Sequence, residues 1–179
     1  MKATGIVRRI DDLGRVVIPK EIRRTLRIKE GDPLEIYTDA EGGVIFKKYS
    51  PIGELSPFAT IYAEVLSKST NSPIVICDRD HVVAVAGVSK KEYLERRVTS
   101  SLEELIEARK SYVLRQKENL AFQPVEGVNK PASLVFPIIV SGDVTGAVLM
   151  LTNDNGDIPG EIEIKLTQTA ATLFSKQLE

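Results

Sequence analysis

The chain has 179 residues, 42% of them hydrophobic and 27% charged, an ordinary globular balance that argues against disorder and allows one domain or a small module joined to a larger one. The net charge of −1 hides an asymmetry: residues 1–29 carry nine Lys/Arg against three acids, whereas residues 51–179 carry 13 against 17, so the first segment is the one suited to a polyanion. A single cysteine, Cys77, excludes an internal disulfide framework and a multi-cysteine metal site, and an apolar run such as Ala147–Leu151, which no other exceeds, is far short of the about 20 residues a membrane helix needs.

Thr4–Ile10 alternates, with Ile6, Arg8 and Ile10 on one face and Gly5, Val7 and Arg9 on the other, which predicts a strand with interleaved arginines. Asp11-Asp12-Leu13-Gly14 predicts a turn, and Arg15–Ile18, rich in β-branched residues, a second strand. Pro19 suits the first turn of a short helix over Lys20–Leu26, where Ile22 and Leu26 share a face that Arg23 and Arg24 avoid. Leu34–Thr38 and Val44–Lys48 predict a hairpin. A module of this size, without staples, buries too little apolar surface to be stable alone. Two copies interleaving their hairpins into one core is the solution left, so residues 1–50 are expected to form a dimer.

Residues 51–55 read as a linker, opening with Pro51 and containing Gly53. A helix is expected from Ser56 to Ser67, with Leu55, Phe58, Ala59, Tyr62 and Leu66 as one apolar stripe and Ile61 and Val65 as a second. Asn71-Ser72-Pro73 ends it. Ile74–Cys77 and His81–Ala86 predict a hairpin, and Ser133–Val140 with Thr145–Leu151 another. Capping-box patterns place helix starts at Ser89 and Ser101. A strand is possible over 120–122. The last helix runs from Glu161 to Leu178, with Ile162, Leu166, Thr169/Ala170 and Leu173 as its stripe. Residues 56–179 thus read as an antiparallel sheet flanked by helices, and the whole chain as α+β.

The string from Lys2 to Leu26, with Leu13-Gly14-Arg15-Val16-Val17-Ile18-Pro19 at its centre, closely resembles the AbrB family of swapped-hairpin transition-state regulators. That resemblance implies an N-terminal swapped-hairpin β-barrel dimer of the AbrB/MazE type. The element order of residues 56–179 resembles a GAF domain, and the pairing resembles regulators of sporulation or late-developmental genes. The resemblance implies double-stranded DNA as the partner, at A·T-rich promoter sites, with activation or repression of transcription. It places Arg8, Arg15, Arg23 and Arg24 at the DNA, with Lys2, Arg9 and Lys20 as weaker candidates on the same stretch. Arginine suits this task because its rigid donor fork matches phosphate oxygens and guanine edges. The competing reading for each is a plain surface charge or an ion pair, with Asp11, Asp12 and Glu21 close by.

A GAF domain often encloses a small-molecule pocket, so an unidentified ligand is one expectation for residues 56–179; tetramerisation through its helices is the other. No further cofactor is expected. His81 stands without a second ligand and is not expected to bind metal, and Cys77 is expected in the core. Asn153-Asp154-Asn155-Gly156-Asp157 fails as a calcium loop, because aligning Gly156 puts Leu151 and Ile162 where carboxylates are needed. No P-loop, dinucleotide fingerprint or nucleophile elbow is present, so an enzyme is not expected. The N-terminus has no apolar h-region and is not expected to be a signal peptide; with the DNA-binding that the resemblance implies, a cytoplasmic, nucleoid-associated protein without a membrane partner is expected. The alternative is a swapped-hairpin antitoxin that binds a toxin and autoregulates its operon; a folded second domain in place of a disordered tail favours the regulator.

Overall fold

The computed structural model describes residues 4–116 and 122–179, in two compact units, Met1–Tyr49 and Ser50–Glu179. In the first unit the chain reverses at Asp11–Arg15, where Gly14 takes φ +74°. The short helix α1 (Lys20–Thr25) follows Pro19, and it ends with Arg27 at φ 52° and the Ile28 N–H donating to the Arg23 carbonyl at 2.8 Å. This 6→1 bond satisfies a carbonyl that the helix leaves open. Strands β1 (Leu34–Thr38) and β2 (Val44–Lys48) pair antiparallel, with Ile36 opposite Phe46.

The strands expected over Thr4–Ile10 and Arg15–Ile18 make no ladder within one chain. A strand exists only against a second edge, and a single chain supplies none to these segments. The same lack shows in burial: among the described residues up to Tyr49, only Pro19 is buried. Leu34, Ile36, Val44 and Phe46 line one face of the β1–β2 hairpin, yet Ile36 is 62% exposed and Val44 60%.

Residues 51–55 are not a linker. Ser50 accepts a hydrogen bond from the Gly53 N–H at 3.0 Å and caps α2 (Pro51–Glu54), whose Ile52 is fully buried in the second unit. Ser-Pro here is an N-cap followed by a proline at the first helical position. Helix α3 (Ser56–Thr70) runs three residues past its expected end and stops at Asn71, in the left-handed region at φ 51°. Strands β3 (Ile74–Asp78) and β4 (Val82–Ala86) form the first hairpin. Helix α4 is one turn (Lys90–Tyr93) after Ser89, whose side chain makes no capping bond. Helix α5 (Ser100–Glu107) is capped by Thr99, which accepts from the Leu102 N–H at 3.3 Å, and not by Ser101. Three hydroxyls in a row, Thr99, Ser100 and Ser101, offered more than one register, and the first one took the cap. The possible strand over 120–122 falls largely on residues 117–121, outside the described residues.

Strands β5 (Tyr112–Val113), β6 (Ala132–Val140) and β7 (Asp143–Leu151) complete an antiparallel sheet of order β4-β3-β7-β6-β5. Ser141 and Gly142, at φ 49° and 92°, give β6 and β7 the two-residue turn whose twist suits a hairpin. Period-two alternation splits the strands between two cores. Ile74, Ile76, Leu134, Ile138, Val148 and Met150 face α2, α3 and α6 (Glu161–Leu178). Val75, Cys77, Val135, Leu149 and Leu151 face Tyr93, Leu102, Ile106 and Val125 on the other side. Burial pushes the Cys77 thiol far above its ordinary range, so it stays protonated.

The stripe expected to bury α6 is only partly the buried one: Ala170 lies in the core and Leu166 packs against it. Thr167, Ala170, Ala171 and Phe174 are buried, whereas Ile162 and Leu173 remain exposed. Phe174 decides the rotation by packing edge-on against Phe58 and Tyr62 of α3, at ring distances of 5.4 and 5.8 Å.

Candidate nucleic-acid interface

The turn between the two basic segments of the first unit is built around Asp11. Its Oδ1 accepts from the Leu13 N–H at 3.0 Å and the Arg15 N–H at 2.8 Å. Its own N–H donates to the Arg15 carbonyl, and its carbonyl accepts from the Gly14 N–H, both at 3.0 Å. The second oxygen, Oδ2, holds Nε of Arg15 at 2.8 Å. These bonds from Arg15 and Leu13 hold the Asp11 carboxyl below the usual carboxylate range, so it is an anion at neutral pH. The Arg15 side chain is itself 69% exposed.

The other proposed contacts flank this turn. Arg8 and Arg9 lie on the exposed segment before it, and Lys20, Arg23 and Arg24 on α1, with Arg23 half-buried and the others exposed. Among the described residues these five make no ion pair, and the Glu21–Arg24 pair that helical spacing allowed is absent. Lys2 lies outside the described residues. The sequence places Asp11 in the turn and beside the arginines as a possible ion-pair partner, without showing that it organises the turn. The signal that marks it as the turn's organiser is an Asp three residues before Gly14 and four before Arg15.

The second unit carries a different surface. On α3, Ile61 and Val65 are 62% and 57% exposed, and α6 adds Ile162 and Leu173. An open groove of about 300 Å³ runs between α3, β4 and α4, lined by Ser56, Thr60, Val83, Val85, Lys90 and Leu94. Asn153–Asp157 is a turn closed on itself, the Asp157 N–H donating to Asn153 Oδ1 at 3.0 Å. Among the described residues, no cluster of three potential metal ligands occurs and no helix is long and apolar enough to cross a membrane.

Comparison with known proteins divides the chain within a few residues of the same point. Residues 54–179 match the family "Stage V sporulation protein T C-terminal, transcription factor", and residues 7–53 match "Antidote-toxin recognition MazE, bacterial antitoxin". Stage V sporulation protein T of Bacillus subtilis (strain 168) is 50% identical over all of this chain and 99% of its own length. The transition state regulatory protein AbrB of the same organism is 67% identical over 28% of this chain and 52% of its own. The solution structure of AbrB's N-terminal DNA recognition domain spans the same 28% with 94% of that domain covered, at a TM-score of 0.25. The GAF domain of an Acinetobacter phosphoenolpyruvate-protein phosphotransferase superposes on 74% of this chain and 84% of its own at a TM-score of 0.57, with 14% identity, a likeness of fold alone. With an AbrB-like module, a GAF-fold second unit and full-length similarity at half of all positions, the chain belongs to the stage V sporulation protein T family of transcription factors.

Proposed function

We propose that the protein regulates transcription by binding double-stranded DNA as a dimer built from its first unit. Arg8, Arg15, Arg23 and Arg24 are the principal contacts, with Lys2, Arg9 and Lys20 in support. The observation that carries the dimer is burial: a module in which only Pro19 is buried, among the described residues, has no core of its own. A second chain gives Thr4–Ile10 and Arg15–Ile18 their strand partners and covers Ile36 and Val44. It also doubles every arginine, and α1 is too short to read a groove as a long recognition helix would. Recognition therefore rests in part on DNA shape and flexibility, which suits A·T-rich sites.

The second unit gathers such dimers into a tetramer through α3 and α6. Exposed Ile61, Val65, Ile162 and Leu173 support this, and four helices from two chains pack readily as a bundle. Both sheet faces being filled by side chains supports assembly over small-molecule sensing as this unit's main role. The protein works without catalysis, in the cytoplasm at the nucleoid, on sporulation or late-developmental genes.

The test is Arg15→Ala in titrations of a duplex over a range of salt. Each dimer presents two Arg15 side chains, and two phosphate contacts contribute about 1.8 to the slope of log affinity against log salt. The variant is expected to bind more weakly with a slope flatter by about that amount. Unchanged affinity and slope remove Arg15 from the interface.

A further inference from the structure

The first unit contains the same turn twice. In Asp11–Arg15 and in Asp39–Gly43 the leading aspartate donates its N–H to the carbonyl four residues on, at 3.0 and 3.1 Å. In both, its carbonyl accepts from the glycine three residues on, at 3.0 and 3.3 Å. In both, its Oδ1 accepts the N–H groups two and four residues on: Leu13 and Arg15 at 3.0 and 2.8 Å, Glu41 and Gly43 at 3.0 and 2.7 Å. Gly14 and Gly42 take the same left-handed conformation, at φ +74° and +84°. The turns differ at the last position, which is a glycine in one and an arginine in the other. The second turn closes with no side chain there at all. The bond from Arg15 Nε to Asp11 Oδ2 is therefore not a requirement of the turn but an addition to it.

That addition has a consequence for Arg15. A free arginine explores many rotamers, and fixing it on DNA costs conformational entropy. The hydrogen bond from Nε at 2.8 Å restrains the orientation of the guanidinium. The two terminal nitrogens, which form the fork that matches paired acceptors on phosphate or guanine, have no partner among the described residues.

We propose that Asp11 is a positioning residue for DNA recognition: Oδ1 ties the turn while Oδ2 aims the guanidinium of Arg15, and the result is selectivity between duplexes rather than affinity as such. The inference rests on Arg15 meeting DNA, as proposed above. It differs from that reading in making an acid, beside the polyanion, favourable to correct binding.

Asp11→Asn separates the two tasks. The amide oxygen still accepts from Leu13 and Arg15, while the NH₂ that replaces Oδ2 cannot accept from Nε. The full-length protein is titrated with two probes, a duplex enriched by the wild-type protein from a randomised pool and a scrambled duplex of equal length and composition. Asp11→Asn is expected to keep the wild-type melting temperature and to lower the ratio of the two affinities by roughly 2- to 10-fold for each arginine released. Arg15→Lys keeps the charge but has no Nε, so it is expected to keep the salt slope and lower the ratio by a similar factor. The double variant is expected to lose no more than either single one, the signature of two groups acting as a unit. A wild-type ratio in Asp11→Asn overturns the inference. Should that variant fail to fold, a wild-type ratio in Arg15→Lys overturns it instead. Arg15→Ala distinguishes the two levels: if it leaves both affinities and the slope unchanged, the reading of Arg15 as a contact fails and the positioning role fails with it, whereas weakened binding in Arg15→Ala beside a wild-type ratio in Asp11→Asn removes the positioning role alone.

Discussion

Replacing Ile36 by alanine distinguishes a self-sufficient first unit from one completed by a second chain. In the single chain Ile36 is 62% exposed, opposite a partly exposed Phe46 across the β1–β2 ladder. A substitution at a site that stays open to water shifts stability by no more than about 0.5 kcal/mol. If a partner covers this face, the same change removes three carbons from a core and costs about 2–5 kcal/mol per chain. For a unit this small, each kcal/mol moves the melting point by about 4–8 °C, so a drop of at least about 8 °C is expected. Calorimetry of the full-length protein reads this in the transition assigned to the first unit, since two units need not unfold together. That transition should also rise with protein concentration, because association stabilises the folded form by mass action. A shift within about 2 °C, with no concentration dependence, refutes the argument from burial.

Two further outcomes are expected. Ile61→Asp combined with Val65→Asp should halve the assembly in sedimentation equilibrium, from tetramer to dimer, while leaving the second unit folded; a tetramer that persists assigns assembly to another surface. Gly146→Ala should lower the urea midpoint of the second unit, because a Cβ there meets the Cys77 carbonyl oxygen, Ile52 Cδ1 at 2.5 Å and Asp78 Cα at 2.9 Å. Two of those obstacles are backbone, so about 1–3 kcal/mol or more is lost, and a wild-type midpoint contradicts the packing of α2 against β7.

Local signals carried most of the second unit. The apolar runs of β3, β4, β6 and β7 and the turn at Ser141–Gly142 were readable, because a strand buried on both faces within one chain leaves a short continuous apolar run bounded by turn residues. Helix α6 shows the limit. Ile162, Leu166, Thr169/Ala170 and Leu173 do form a stripe at helical spacing, but of these only Ala170 and Leu166 pack on the core, beside Ala171 and the large Phe174, while Ile162 and Leu173 stay exposed. Periodicity locates a stripe without saying which neighbour covers it, and α6 has more than one apolar face. The linker failed for another reason: Pro51 and Gly53 mark loops in general, and only the burial of Ile52 shows that they start a helix here. In the first unit the strands over 4–10 and 15–18 were legible as patterns but have no ladder in a single chain, since their partners are not local to it. Charge alone marks the basic segment, and the choice of Arg8, Arg15, Arg23 and Arg24 within it is what the family resemblance implies. The coupling of Asp11 to Arg15 was not, because an acid near a base in sequence says nothing about which nitrogen it holds.

Paired first units are proposed to present a cluster of guanidinium groups to the double helix. This is tested most directly by replacing Arg8, Arg15, Arg23 and Arg24 together with alanine and titrating the full-length variant with a duplex selected by the wild-type protein, at salt from about 50 to 200 mM. Eight cationic contacts per dimer correspond to a salt effect of roughly 10³–10⁵ across that range, and the account predicts that the variant loses both this dependence and measurable selective binding while its melting temperature holds. Wild-type affinity with the wild-type salt dependence would contradict it.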